Sequence, residues 1–154
     1  VATRGRVLGG AARFSVDRTT TDVKQGSHAL QLHIEPEAPN AWGYTEILFD
    51  ATTDVSGDRA MSVWLHGDGS GHRVKVLLID ADGERWLDEE ILITFEGWKR
   101  IVFGVKGLAR DPFDGIANGD SHPNPEKLAG VAFAVQTADR TPANVLVDDI
   151  RAHE

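Results

Sequence analysis

The sequence predicts an all-β fold, a sandwich of short antiparallel strands. Three observations lead there. Segments of alternating polarity, several of them rich in β-branched residues, recur along the chain with Gly, Asp, Asn and Pro between them. No segment sustains a helical period. The 154 residues suffice for one domain spanning 1–154, and a hydrophobic content of 41% is that of a globular protein with a real core.

Strands are expected near 12–16, 29–35, 42–49, 60–66, 73–79, 85–94, 98–103, 130–137 and 145–151. In the third of these, Trp42-Gly43-Tyr44-Thr45-Glu46-Ile47-Leu48-Phe49, period-two geometry puts Trp42, Tyr44 and Glu46 on one face. Two aromatic rings beside a carboxylate suit a sugar, whose C–H faces are apolar and whose hydroxyls ring the edge. Ordinary sandwich packing is the competing reading, because aromatics are enriched in strands. In the fourth, Val63 and Leu65 oppose Trp64 and His66, so a core-facing Val63 and Leu65 would turn Trp64 and His66 outward or into a cleft. Gly67-Asp68-Gly69-Ser70-Gly71 reads as a hairpin turn to the next strand. Asp80-Ala81-Asp82-Gly83 reads as another. Its Asp-x-Asp spacing fails the EF-hand pattern, because the invariant Gly position falls on Arg85. Arg85 and Trp86 alternate, so one of them faces any cleft, and Asp80 and Arg85 are candidate polar contacts or a surface pair.

Strand 98–103 puts Trp98, Arg100 and Val102 opposite Lys99, Ile101 and Phe103, and Trp98 is read as packing. In 130–137, Ala132 and Ala134 share a face with Gln136. Small residues ending in an amide leave room for a ligand or for a neighbouring side chain. The segment 104–127 is a long irregular stretch with Pro112, Pro123, Pro125, Asp111, Asp114, Asp120, Glu126 and His122. It is read as a loop that overhangs a binding face or as a solvated insertion. Residues 124–128 hold at most one helical turn.

Composition excludes several functions. A net charge of −8 without a basic cluster argues against nucleic acid and against an anionic membrane surface. No apolar run approaches the ~18 residues of a membrane span. The absence of cysteine removes thiol nucleophiles, disulfides and thiolate metal sites. The histidines form no metal-binding spacing, which disfavours zinc. Nothing resembles a nucleophile elbow, and Gly67–Gly71 lacks the helix and Lys of a phosphate loop. A chain without an initiator Met or a signal peptide is expected of a segment processed from a larger protein.

Several motifs carry a resemblance. Lys24-Gln25-Gly26-Ser27-His28-Ala29-Leu30 is similar to the strand entry of jelly-roll carbohydrate-binding modules. Ser62-Val63-Trp64-Leu65-His66-Gly67-Asp68-Gly69 resembles their hydrophobic strand followed by G-D-G. Glu96-Gly97-Trp98-Lys99-Arg100-Ile101 and Val147-Asp148-Asp149-Ile150 resemble a later strand and the closing strand. The nearest relatives by pattern are family 11 carbohydrate-binding modules and the wider galactose-binding-like sandwiches. The D-F-E opening common in family 11 is missing.

The resemblance implies a two-sheet jelly roll with one concave sheet as the glycan cleft. It implies non-catalytic binding of a polysaccharide or oligosaccharide, a β-glucan among the candidates; the residues that strand alternation offers as contacts are Trp42, Tyr44, Glu46, Trp64, His66, Asp80, Arg85, Trp86 and Gln136. It further implies a structural Ca2+ near Asp17, Lys24, Ser27 and Asp149 (or Asp148). It implies a secreted bacterial monomer attached to a glycan-degrading catalytic domain, with a glycan and neither nucleic acid nor membrane as partner. The alternatives are an accessory interaction sandwich without sugar affinity and a small glycan-active lyase or hydrolase.

Overall fold

Eleven strands form two antiparallel sheets among the described residues of this computed structural model, which cover 2–9, 12–111 and 119–153, the backbone alone at 2–9 and 88–89. β1 (Ala2–Gly9), β4 (Trp42–Thr53), β6 (Arg73–Asp80), β7 (Arg85–Leu92), β9 (Ala109–Arg110) and β10 (Leu128–Gln136) build a six-stranded sheet ordered β1-β4-β10-β6-β7-β9. β2 (Ala12–Thr19), β3 (Ala29–Pro36), β5 (Ala60–Asp68), β8 (Glu96–Gly104) and β11 (Ala143–His153) build a five-stranded sheet ordered β2-β3-β11-β5-β8. Every expected strand is present. β1 and β9 are additional, so Trp42 opens the fourth strand rather than the third. A single 3-10 turn, Pro125–Lys127, falls where one helical turn was expected. The 104–127 segment also holds β9, and its stretch 112–118, with Pro112 and Asp114, lies outside the described residues.

The Asp80–Gly83 turn closes a true hairpin, with β6 and β7 paired and Gly83 at φ 82°. The Gly67–Gly71 turn does not. β5 and β6 belong to different sheets, so this segment carries the chain from one sheet to the other. A turn-rich sequence encodes a change of direction; the partner strand is chosen by long-range pairing.

The two sheets bury their facing sides against each other. Leu32, Ile34, Val63, Leu65, Val74, Val131, Phe133, Val135 and Val145 are almost wholly inaccessible and belong to one cluster. Strand alternation explains this, since each of these residues shares a face with its neighbours two positions away. Gly43 is required by this packing. A Cβ there would sit 2.2 Å from the Phe14 ring of the opposing sheet. Hence the Trp-Gly-Tyr order: the two rings point away from the core, and the residue between them must be small.

Candidate functional site

The outer face of the six-stranded sheet gathers most of the predicted cleft residues. Register sets them in rows that cross the strands. Trp42 pairs with Gln136, Gln136 with Arg73, and Arg73 with Leu92. The next row is Tyr44, Ala134, Lys75 and Glu90, and the third is Glu46, Ala132, Leu77 and Leu87. A fourth is Leu48, Gly130, Ile79 and Arg85. β1 brings Arg6 and Arg4 into register beside Tyr44 and Glu46.

The small residues of β10 form the floor, and larger side chains lie down over them. Tyr44, Leu77, Ile79, Ala132 and Ala134 form a second buried cluster, with Trp42 and Leu87 packed on it. Tyr44 retains only 3% of its surface. Its hydroxyl donates to Glu46 Oε1 at 2.6 Å and accepts from Arg85 Nε. Arg85 also donates through Nη2 to Glu46 Oε1. Burial, together with the bond to the Glu46 carboxylate, pushes the Tyr44 phenol above its ordinary value against the opposing pull of Arg85. For Arg85, burial disfavours the charge, but the carboxylate of Glu46 and the Tyr44 oxygen outweigh it and hold the guanidinium protonated. Tyr44 is therefore a clamped floor residue rather than an open stacking surface.

Trp42 stays partly exposed at the rim. Lys75 Nζ lies 4.9 Å from its ring centroid and 3.2 Å from Glu90, and only 8% of Lys75 is exposed. Beside Trp42 opens a concavity of about 230 Å³ whose lining includes Asn40, Gly71, Arg73, Leu92 and Gln136. Arg73, Lys75, Asn40 and Leu92 are the residues that reading the sequence missed. The alternation of Arg73 and Lys75 with Val74 and Val76 carried the signal that the two cations share a face. It did not say that this face adjoins Trp42.

The other predicted contacts lie elsewhere. Trp64 and His66 do turn outward, opposite the fully buried Val63 and Leu65, but on the five-stranded sheet. Trp98, expected in the core, joins them there. It is paired in register with His66, and the two rings meet edge-to-face at 5.2 Å. Lys24 Nζ covers Trp64 at 3.9 Å. Parity was legible, but which of two outer faces a strand joins depends on sheet membership. Asp80 and Trp86 are buried, at 2% and 4% exposure, and do not reach the outer face. Asp80 Oδ1 accepts from the amides of Asp82 and Glu84, and Oδ2 accepts from Trp86 Nε1 at 2.8 Å. The pair locks the β6–β7 turn, and Arg85, the alternate residue, is the one that faces outward.

The residues expected to hold Ca2+ do not fit it. Asp148 Oδ2 accepts from the backbone amides of Lys24 and Gln25, both at 2.9 Å. Donors thus occupy the place where a cation needs oxygens. Asp149 Oδ1 is held by Arg151 at 2.6 Å. Asp17 is an exposed residue of β2, and Ser27 bonds to His28. A different set could hold a metal ion: Asp82, Glu84 and Asp120 offer oxygens within 4.8 Å of one another. Glu84 is fully buried, bonded by the Ser121 amide and paired with Arg110 at 2.9 Å. Gly119 lets it fit, because a Cβ there would lie 1.9 Å from the Glu84 carboxyl carbon. The His122 amide, with Asn124 beside it, lowers the Asp120 pKa and keeps that carboxylate ionised.

The fold is a two-sheet antiparallel β-sandwich whose six-stranded sheet carries this face on its outer side. No family model and no curated protein matches the sequence. Among solved structures, the chain is similar to a family 11 carbohydrate-binding module from Clostridium thermocellum in complex with a β-1,3-1,4-mixed-linked tetrasaccharide (TM-score 0.70, 14% identity, 98% of this chain and 88% of that one). It is also similar to the family 30 module of the cellulosomal cellulase Cel9D-Cel44B of Clostridium thermocellum (TM-score 0.64, 16% identity, 97% and 91%). A third likeness is to an exo-β-agarase structure (TM-score 0.60, 15% identity), where it covers 97% of this chain and 24% of the other. At these identities the likeness is one of fold.

Proposed function

We propose that this chain is a non-catalytic carbohydrate-binding module that holds glycan on the outer face of its six-stranded sheet. The observation that carries the reading is the gathering of Trp42, Tyr44, Glu46, Arg85 and Gln136 on one face of one sheet by strand register. A sugar stacks its C–H face on Trp42 and meets amide, carboxylate and guanidinium groups around it. Glu46 and Glu90, two carboxylates of this face, are both ion-paired with cations. Neither has the unpaired, apolar setting that raises a general acid. A β-glucan is the first glycan to try, with attachment to a secreted glycan-degrading enzyme as the setting in which modest affinity is useful. Ca2+ is the proposed ion for Asp82, Glu84 and Asp120, where it would share the Glu84 carboxylate with Arg110 and the Ser121 amide.

A second reading is supported by Trp64, His66, Trp98 and the 53%-exposed Val102 on the five-stranded sheet. Such a face suits packing against a neighbouring domain, with no sugar affinity. Affinity gel electrophoresis over a polysaccharide panel separates the two. Retardation abolished by Trp42→Ala but unchanged in Trp98→Ala is expected for the first. Mobility unaffected by every glycan would reject it.

A further inference from the structure

We infer that the six-stranded face grips a glycan by its end, in the concavity beside Trp42, rather than along a running chain; this rests on the carbohydrate-binding reading above. The middle of the face is closed. Ala132, Leu77, Tyr44 and Ile79 are 0%, 1%, 3% and 4% exposed, and Arg85 lies over them to reach Tyr44 and Glu46. A chain crossing the sheet would have to displace that bridge.

The Trp42 end is different. Its concavity of about 230 Å³ has room for a terminal sugar unit and little more. Among the described residues, the side-chain amides of Asn40 and Gln136 have no hydrogen-bond partner, and Arg73 has only Glu90, at 3.7 Å. The exposed Leu92 supplies an apolar patch opposite them. An end unit carries a hydroxyl that an internal unit has lost to the next linkage. Unpaired donors and acceptors in a pocket are what recognise such a group.

The walls are preformed. Asn40 adopts φ 58° and its amide donates to the Thr137 carbonyl at 2.9 Å, while the Ala41 amide donates to Thr137 Oγ1. The Ala138 amide donates to His72 Nδ1, so the buried ring is a neutral tautomer whose Nε2–H donates to the Thr141 carbonyl at 2.9 Å. These bonds tie residues 137–141 to His72 and to residues 40–41 without using the side-chain amides of Asn40 and Gln136.

Isothermal titration of the intact chain tests this, with mixed-linkage β-glucan and agarose as probes, each as the polymer and as oligosaccharides from the disaccharide upward. Affinity per mole should level off at the shortest oligomers, with one protein bound per polymer chain whatever its length. Gln136→Ala and Arg73→Ala should each weaken binding about tenfold, the loss of roughly one hydrogen bond. Arg85→Ala should open the face and let several modules bind one polymer chain. Affinity that climbs with every added sugar, with several wild-type modules on each polymer, would overturn end recognition and leave the carbohydrate-binding function standing. Full affinity in both pocket variants would overturn it too. If neither probe binds and a wider glycan panel is also silent, the carbohydrate reading itself falls and takes this inference with it.

Discussion

Arg85 on β7 reaches Glu46 on β4 across two intervening strands, with Nη2 and Oε1 2.5 Å apart. Three interstrand spacings amount to about 14 Å. Two side chains close such a gap only when they can lie flat over small residues, here Gly130, Ala132 and Ala134 on the strand beside β4. The bridge is mostly buried, so its loss leaves a charge with little water to turn to. Glu46→Ala should destabilise the fold by about 1–3 kcal/mol, read from the midpoint of urea unfolding at an unchanged slope.

Tyr44, the sole tyrosine, is held protonated by burial and by its bond to Glu46. Its folded pKa lies above the unfolded value of 10.0. The stabilisation from the neutral phenol is therefore complete below that value and is lost as pH rises through the folded one. Ultraviolet titration should show phenolate absorbance appearing well above the pH at which a free tyrosine ionises. A normal titration curve from folded protein would contradict the clamp.

Trp42 and Trp86 should separate binding from stability. Trp86→Phe keeps the buried ring but strands the Asp80 carboxylate of the β6–β7 turn, at a cost of about 1–3 kcal/mol. Glycan retardation at temperatures below the melt should be unchanged. Trp42→Ala should abolish retardation and shift the unfolding midpoint less than Trp86→Phe does.

Calcium should raise the melting temperature through Asp82, Glu84 and Asp120, because an ion bound only by the folded chain stabilises it by mass action. Asp120→Asn removes one exposed carboxylate without disturbing the core. It should erase the response to Ca2+ while Asp149→Asn preserves it. A chelator that leaves the wild-type midpoint unchanged would count against the ion.

The legible part of the fold was local. Alternation in Val74–Val76, Val131–Val135 and Val63–Leu65 states which side chains face inward, and the Asp82-Gly83 turn states where a hairpin closes. β1 escaped notice because Ala2–Gly9 alternates weakly and is rich in Arg and Gly. The candidate site was half legible. Trp42, Tyr44, Glu46, Arg85 and Gln136 were named from parity and do share a face. Trp64, His66 and Trp98 obey the same parity rule and stand on the other side of the molecule.

By itself, then, the sequence determines the period-two pattern, most strand positions and which side chains of a strand share a face, because those follow from the geometry of one strand. Sheet membership was decided only in the tertiary structure. The order β4-β10-β6-β7 joins segments distant in the chain, and no local signal records which edges will pair. That pairing sets Arg73 beside Gln136, lays Arg85 over Tyr44, and leaves one end of the face open.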